Sequence, residues 1–359
     1  MKLEALGWNE FFRKEFAPFE GGDFTAGRVA VQHRTYYLLY SEFGELRGEI
    51  TGKMHYMAER LQDFPAVGDW VVIHARPEEQ AATIHELLPR KSRFSRKVAG
   101  VKVEEQIVAA NVDIVFLVSG LDGDFNLRRL ERYVVLAVES GAMPVVILNK
   151  SDLCHDLKSK EREVRSVVRD VPLHMLSAIN DKGLDTILSY LKPGITGALL
   201  GSSGVGKTTI INHLLGAEVF RTLEVREEDS RGRHATTRRE LVILPGGGLL
   251  IDTPGMRELQ LWGGASGMDE VFEDINRLAG ECRFRDCTHG TEPGCAIQKA
   301  LEEGALEESR FKSFQKLQKE IAYQNRRIDQ GEQRKEKERL KRISKEIKQI
   351  YKTRKKRQD

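Results

Sequence analysis

Residues 201–208 place glycines, a lysine and a threonine at the spacing of a phosphate-binding loop, G-x-x-x-x-G-K-[ST]. An apolar run at 196–200 precedes the loop and a helical pattern at 209–215 follows it, which is the strand–loop–helix context such a loop requires. Backbone N–H groups and the positive end of the helix dipole favour bound phosphate there. We expect Lys207 to reach the β- and γ-phosphates and Thr208 to ligate Mg²⁺. The predicted phosphate contacts are Gly201, Ser202, Ser203, Gly204, Val205, Gly206, Lys207, Thr208 and Thr209.

A second motif, Asn-Lys-Ser-Asp at 149–152, follows an apolar strand predicted for 144–148. The carboxylate of Asp152 is suited to accept hydrogen bonds from N1–H and the 2-amino group of guanine, a pattern that adenine does not offer. We expect Asn149 to bind the purine edge and brace the phosphate loop, and a backbone N–H at 177–178 to approach guanine O6. These motifs favour GTP, with an ATPase as the alternative. The predicted base contacts are Asn149, Lys150, Ser151, Asp152, Ser177 and Ala178.

Residues 252–255 fit the D-x-x-G element of GTPases. We expect Asp252 to face Mg²⁺ through water and the amide of Gly255 to sense the γ-phosphate. The polar stretch 231–237 lies between this element and the phosphate loop, in the position of a first switch. It contains two candidate Mg²⁺-ligating threonines, of which Thr237 is preferred. An ordinary surface loop is the alternative interpretation of this stretch.

Three of the four cysteines lie with a histidine in the pattern Cys-x₄-Cys-x-His-x₅-Cys. Three thiolates and one imidazole form a complete tetrahedral shell for structural Zn²⁺, with no open position for catalysis. Reduced cysteines beside an incidental histidine are the alternative. The predicted zinc ligands are Cys282, Cys287, His289 and Cys295.

The pattern of elements predicts three folded units and a tail. About five short β-rich runs at 25–89 indicate a small barrel of OB or SH3-like type, and alternating apolar strands and helices after Asn111 indicate a mainly parallel sheet covered on both faces. The predicted divisions are an OB-fold RNA-binding domain at 1–92, a GTPase domain at 93–265, a helical zinc-binding domain at 266–325 and a basic tail at 326–359.

The charge is distributed unevenly along these 359 residues. The formal net charge is +3, yet residues 310–359 hold 19 Lys/Arg and 7 Asp/Glu. The tail is interpreted as an arm that attracts rRNA, with a solvated helix or disordered end as the alternative. The basic stretch 90–97 is either a solvated linker or a contact to RNA phosphates. No apolar run reaches the length of a membrane span, and a cytoplasmic protein is expected.

The order of the motifs is permuted. In the usual GTPase the phosphate loop comes first, whereas here the base-reading motif at 149–152 precedes the loop at 201–208. The same sheet forms after such a circular permutation because the new termini lie at surface connections. The chain resembles the ribosome small-subunit-dependent GTPase A family (RsgA, also called YjeQ or YloQ) in this motif order, in residues 106–113, 232–237 and 252–259, and in the cysteine cluster. The resemblance covers about residues 25–315.

This resemblance implies an OB-fold, a permuted GTPase and a zinc domain that act late in assembly of the bacterial 30S subunit, with 16S rRNA as partner and Mg²⁺ accompanying GTP. Met256 occupies the position after the D-x-x-G element where many GTPases use glutamine to orient the attacking water. The resemblance makes His234 the candidate for that role, with a solvated or RNA-contacting histidine as the alternative on sequence alone. Slow intrinsic hydrolysis that the ribosome stimulates is therefore expected, with hydrolysis promoting release. A monomer is expected. The alternative function is a GTP-gated regulator that binds RNA or protein outside ribosome assembly.

Overall fold

The computed structural model describes residues 1–97, 105–168, 170–216, 239–252 and 266–326. The first switch, including His234 and Thr237, lies outside these ranges, as do Gly255 and the tail beyond residue 326. Within the described ranges, every helix falls short of the length and apolar character that a membrane crossing needs.

The N-terminal part is a closed five-stranded barrel. Its elements are α1 (Glu10–Phe16), β1 (Thr25–Gln32), β2 (Tyr37–Ser41), β3 (Gly44–Ile50), α2 (Gly52–Met57), β4 (Trp70–Arg76) and β5 (Ala81–Leu87). The strand order is β1-β2-β3-β5-β4, and antiparallel pairing of β1 with β4 closes the barrel. Strand β3 runs parallel to β5, as in an OB-like barrel, and alternate apolar side chains such as Leu39 and Ile84 fill the interior. The five predicted strands are confirmed.

The predicted basic linker is partly wrong, because it contains a paired strand. Strand β6 (Arg93–Lys97) forms an antiparallel hairpin with β7 (Glu105–Ala110). Before it, the guanidinium of Arg90 donates to both carboxylate oxygens of Asp69, at 2.8 and 2.7 Å, and the Asp69 side chain is fully buried. Arg90 is therefore a mostly buried residue that neutralises a buried carboxylate, and an RNA contact by the rest of the stretch stays a prediction.

The central part is the predicted mainly parallel sheet. Its elements are β8 (Ile114–Gly120), α3 (Leu127–Ser140), β9 (Met143–Asn149), α4 (Leu157–Val168), β10 (Leu173–Met175), α5 (Asp185–Tyr190), β11 (Thr196–Leu200), α6 (Lys207–Leu215), β12 (Glu240–Ile243) and β13 (Leu249–Asp252). The order is β10-β9-β8-β11-β13-β12, and among these described strands only β12 runs antiparallel to its neighbour. Every residue of β8 and β11 is buried, as expected for strands covered on both faces.

A buried arginine joins the barrel to the central sheet. The side chain of Arg28, on β1, is about 1% exposed and donates only to uncharged acceptors: the carbonyl oxygens of Leu6, Gly68 and Asn111, and the hydroxyl of Thr196. Burial lowers the pKa of Arg28 to about 10, so it stays protonated at neutral pH. Since these acceptors come from four segments, the guanidinium holds the two parts together.

The C-terminal part is a helical module that packs on α3. Its elements are α7 (Ser266–Val271), α8 (Glu273–Gly280), α9 (Ala296–Glu302) and α10 (residues 308–326). Arg310, on α10, donates to Glu131 of α3 at 2.7 Å and to both carboxylate oxygens of Asp274 at 2.9 and 3.0 Å. Its guanidinium also lies 5.0 Å from the ring centroid of Phe272. This buried ion cluster fixes the module against α3 of the central part.

Candidate nucleotide and metal sites

The predicted nucleotide motifs meet at one edge of the central sheet. Parallel strands end at the same edge, so the loops that follow β9, β10 and β11 and the end of β13 lie side by side. The base-reading motif and residues 177–178 follow β9 and β10, while the phosphate loop follows β11 and Asp252 ends β13. The strand order therefore places the predicted base contacts on one side and the predicted phosphate contacts on the other.

The phosphate loop has the backbone that its glycines permit. Gly204 and Gly206 have φ values of +73° and +95°, in the left-handed region that favours glycine. A Cβ on Gly206 would lie 2.2 Å from Nδ2 of Asn149, so no larger residue fits there. The ammonium of Lys207 donates to the carbonyl oxygens of Gly201 and Ser202, at 2.8 and 2.5 Å. Thr208 and Thr209 lie in the first turn of α6.

Asn149 joins the two sides of the site. Its Nδ2 donates to the carbonyl oxygen of Val205 at 2.7 Å, which is the bracing contact expected from the sequence. Its Oδ1 accepts from the backbone N–H of Ala178 at 3.0 Å. The amide expected to approach guanine O6 therefore donates to Asn149 in this structure.

Asp152 presents an exposed carboxylate at the base side of the site. One of its oxygens accepts a hydrogen bond from the hydroxyl of Ser177, which orients the group. Two aliphatic side chains that the sequence analysis did not single out lie next in sequence to these motifs: Leu153 is 58% exposed and Ile179 is 79% exposed. Apolar surface beside a hydrogen-bonding carboxylate is typical of a site for a flat heterocycle.

Two further carboxylates contact the predicted site and were missed by sequence reasoning. Asp122 accepts from the ammonium of Lys150, and Asp124 accepts from the hydroxyl of Ser202 at 2.6 Å. Both lie in the acidic loop, residues 121–126, which connects β8 to α3. The sequence indicates these contacts only indirectly: β8 is predicted as a strand of the same parallel sheet, so the loop after it is expected at the same edge.

The four predicted metal ligands converge. Their ligand atoms all lie within 4.8 Å of one another. Nδ1 of His289 is 3.6 Å from the sulfurs of both Cys282 and Cys295, and those sulfurs are 3.9 Å apart. A tetrahedral ion with bonds of about 2.3 Å to sulfur and about 2.05 Å to nitrogen separates two sulfurs by about 3.8 Å and a sulfur from a nitrogen by about 3.6 Å. The cluster, which includes Cys287, thus fits one tetrahedral metal ion.

Local contacts orient these ligands. The sulfur of Cys295 accepts from the backbone N–H of Gln298 at 3.5 Å at the start of α9, and the Gln298 side chain donates to the carbonyl oxygen of His289 at 2.6 Å. His289 itself has φ +60°, an uncommon conformation for a residue with a side chain. The cluster is thereby held in shape by the chain around it.

Comparison with known proteins assigns the family. The model of the RsgA GTPase family matches residues 87–262. A small ribosomal subunit biogenesis GTPase RsgA of Opitutus terrae is 48% identical over 352 residues, covering 96% of both chains. The chain belongs to the RsgA GTPase family. The RsgA protein of Methanosarcina acetivorans is 41% identical and covers 96% of this chain and 92% of its own.

Solved structures show the same fold. YjeQ from Thermotoga maritima aligns with a TM-score of 0.60 at 26% identity, over 82% of this chain and 97% of that one. YloQ, described as a circularly permuted GTPase, aligns with a TM-score of 0.59 at 22% identity, over 83% and 95% of the two chains. The expected fold is confirmed: an OB-like barrel, a circularly permuted GTPase domain and a helical region whose Cys/His cluster is able to bind a metal. As a member of the RsgA GTPase family, the protein hydrolyses GTP.

Proposed function

We propose that this GTPase binds the small (30S) ribosomal subunit through rRNA during late maturation, in the cytoplasm. The observation that carries the proposal is 48% identity, across 96% of both chains, to a protein named as a small ribosomal subunit biogenesis GTPase. The GTP-bound form binds the subunit, the subunit stimulates hydrolysis, and hydrolysis promotes release. The OB-like barrel supports this proposal, because such barrels commonly bind single-stranded nucleic acid.

The nucleotide is bound by the motifs at the carboxyl edge of the sheet. Asp152, oriented by Ser177, accepts from guanine, while Leu153 and Ile179 offer apolar surface beside it. Lys207 exchanges its loop carbonyl contacts for the β- and γ-phosphates. Mg²⁺, held by Thr208 and through water by Asp252, would neutralise charge on the phosphates. His234, Thr237 and Gly255 stay predictions for the catalytic and switch roles.

The four-ligand cluster holds one structural Zn²⁺. Three thiolates and an imidazole are the ligand set that zinc prefers, and four protein ligands leave no position for a substrate. The cluster lies in the C-terminal module that Arg310 fixes on α3. The metal therefore stabilises the fold of this module and takes no part in the reaction.

Nucleotide-dependent sedimentation tests the ribosomal role. We expect the protein to migrate with 30S subunits in lysate that contains a non-hydrolysable GTP analogue and to leave them with GDP. Truncation after Gln330 is expected to weaken the association with 30S subunits at low salt, because the tail is rich in Lys and Arg. At high salt the difference between truncated and full-length protein is expected to be smaller.

Association that does not depend on the nucleotide, or that is absent, would contradict the ribosomal role. Nucleotide-dependent migration with a different complex would support the alternative of a regulator outside ribosome assembly. A Lys207→Met variant is the matched control, because it should lose the difference between the two nucleotides.

A further inference from the structure

Strand β8 lies between the two halves of the nucleotide site. It pairs in parallel with β9, which leads into the base-reading motif, and with β11, which leads into the phosphate loop. The loop that follows β8 therefore emerges between these two motifs at the same sheet edge. That loop is the acidic loop, residues 121–126, and the nucleotide contacts predicted from the sequence do not include it.

Asp122 ties the acidic loop to the base side. Its carboxylate accepts from the ammonium of Lys150, and both side chains are only about a quarter exposed. Burial alone raises the pKa of Asp122, but the hydrogen bond from Lys150 and a bond from the amide of Asp124 hold that pKa below its ordinary value. The backbone N–H of Leu121 donates to the carbonyl oxygen of Asn149 at 2.8 Å. The loop is thus attached to the base-reading motif through main chain and side chain.

Asp124 ties the same loop to the phosphate side. One carboxylate oxygen accepts from the hydroxyl of Ser202 at 2.6 Å. The guanidinium of Arg129, on α3, donates to both carboxylate oxygens at 3.1 and 2.8 Å. The N-terminus of α3 is also capped by Asn126, whose side chain accepts from the backbone N–H of Arg129 at 2.9 Å. The loop is therefore anchored to a helix while its carboxylate holds the phosphate loop.

We propose that the acidic loop is a positioning element that fixes the spacing between the guanine-reading and phosphate-binding motifs, with Asp122 acting through Lys150 and Asp124 through Ser202. The proposal rests on the assignment of the nucleotide site and not on the ribosomal role. Prior ordering of both motifs lowers the entropy lost when one ligand contacts them together.

A positioning role and electrostatic repulsion of the phosphates predict opposite changes in nucleotide affinity when a carboxylate of the acidic loop is removed. An isolated carboxylate beside bound phosphates would weaken binding, and removing it would strengthen binding. Asp124 is already paired with Arg129 through two hydrogen bonds, which offsets much of its charge. The loss of positioning is therefore expected to exceed the relief of repulsion.

Single amide variants test the two carboxylates in the full-length protein, without ribosomal subunits. We expect Asp122→Asn to raise the Kd of a fluorescent GDP about fivefold and Asp124→Asn to raise it about threefold, the smaller change reflecting the half-exposed side chain of Asp124. The KM for GTP should rise in parallel while kcat at saturating GTP is unchanged. Glu161→Gln, which removes an exposed ion pair with Arg165 on α4, is the matched control and should change neither constant.

Double-mutant cycles identify the route of each effect. Asp122→Asn should have no further effect on GDP affinity in a Lys150→Met background, and Asp124→Asn none in a Ser202→Ala background. Effects that add in full, or tighter binding by either amide variant, would overturn the positioning role. Since the readout is nucleotide affinity alone, such a failure would leave the proposed ribosomal role standing.

Discussion

Replacing Asp152 with asparagine should weaken GDP and GTP binding by about 100-fold or more, because one carboxylate acceptor becomes an N–H donor that faces the 2-amino group of guanine, itself a donor. An asparagine amide keeps one acceptor oxygen for Ser177, whose hydroxyl now donates to Asp152. Its new N–H group is complementary to a carbonyl oxygen at purine C2, where guanine carries an amino group. The variant should therefore prefer xanthosine over guanosine diphosphate.

Competition of fluorescent GDP with GDP, XDP and ADP measures this change directly. Asp23→Asn, at an exposed position before the barrel, is the matched control and should keep the wild-type order. An unchanged ratio of GDP to XDP affinity in Asp152→Asn would show that another group reads the base.

Replacing Cys295 with serine should remove the bound metal and loosen the C-terminal module. The sulfur of Cys295 is 3.6 Å from Nδ1 of His289 and 3.9 Å from the sulfur of Cys282, and Cys295 is about 5% exposed. With serine at this position, only three of the four predicted metal ligands remain. Structural zinc contributes directly to folding free energy, and we expect a loss on the order of 3–5 kcal/mol in the local stability of the module. Basal nucleotide affinity should change little, because the predicted nucleotide contacts and the metal ligands are different residues.

Metal content and hydrogen exchange measure the two consequences separately. Wild-type protein should carry one zinc per chain and the Cys295→Ser variant none, with faster amide exchange around α9 (Ala296–Glu302). Cys154→Ser is the matched control, since Cys154 lies outside the cluster, and it should retain the metal. Full zinc content in Cys295→Ser would refute the four-ligand assignment.

Features with a local physical signature were predictable from the sequence. The phosphate loop is recognisable in the sequence because its backbone requires glycines with positive φ, as at Gly204 and Gly206. The barrel strands are recognisable because apolar residues that fill the interior alternate with others along each strand. The four candidate metal ligands were recognisable because they lie within 14 residues of one another, and the structure brings them together. In each of these cases the structural requirement constrains neighbouring residues in the chain.

Contacts between distant residues were not predictable in the same way. Asp124 meets Ser202 across 78 positions and Arg28 meets Thr196 across 168, and an aspartate or arginine alone does not indicate its partner. The pairing of Arg90, the first residue of the basic stretch 90–97, was missed for the same reason, because its partner Asp69 lies 21 residues away. Only the folded barrel brings that carboxylate into a buried position beside the guanidinium.

We propose that the turnover of this GTPase depends on the small ribosomal subunit. This dependence is tested most directly by phosphate release at saturating GTP with purified 30S subunits, with 50S subunits, and with neither. We expect slow turnover alone, little change with 50S subunits, and at least about a tenfold increase in kcat with 30S subunits, because positioning of the attacking water and charge stabilisation supply most of the acceleration in such enzymes. Equal turnover in all three conditions, with GTP binding intact, would contradict the claim.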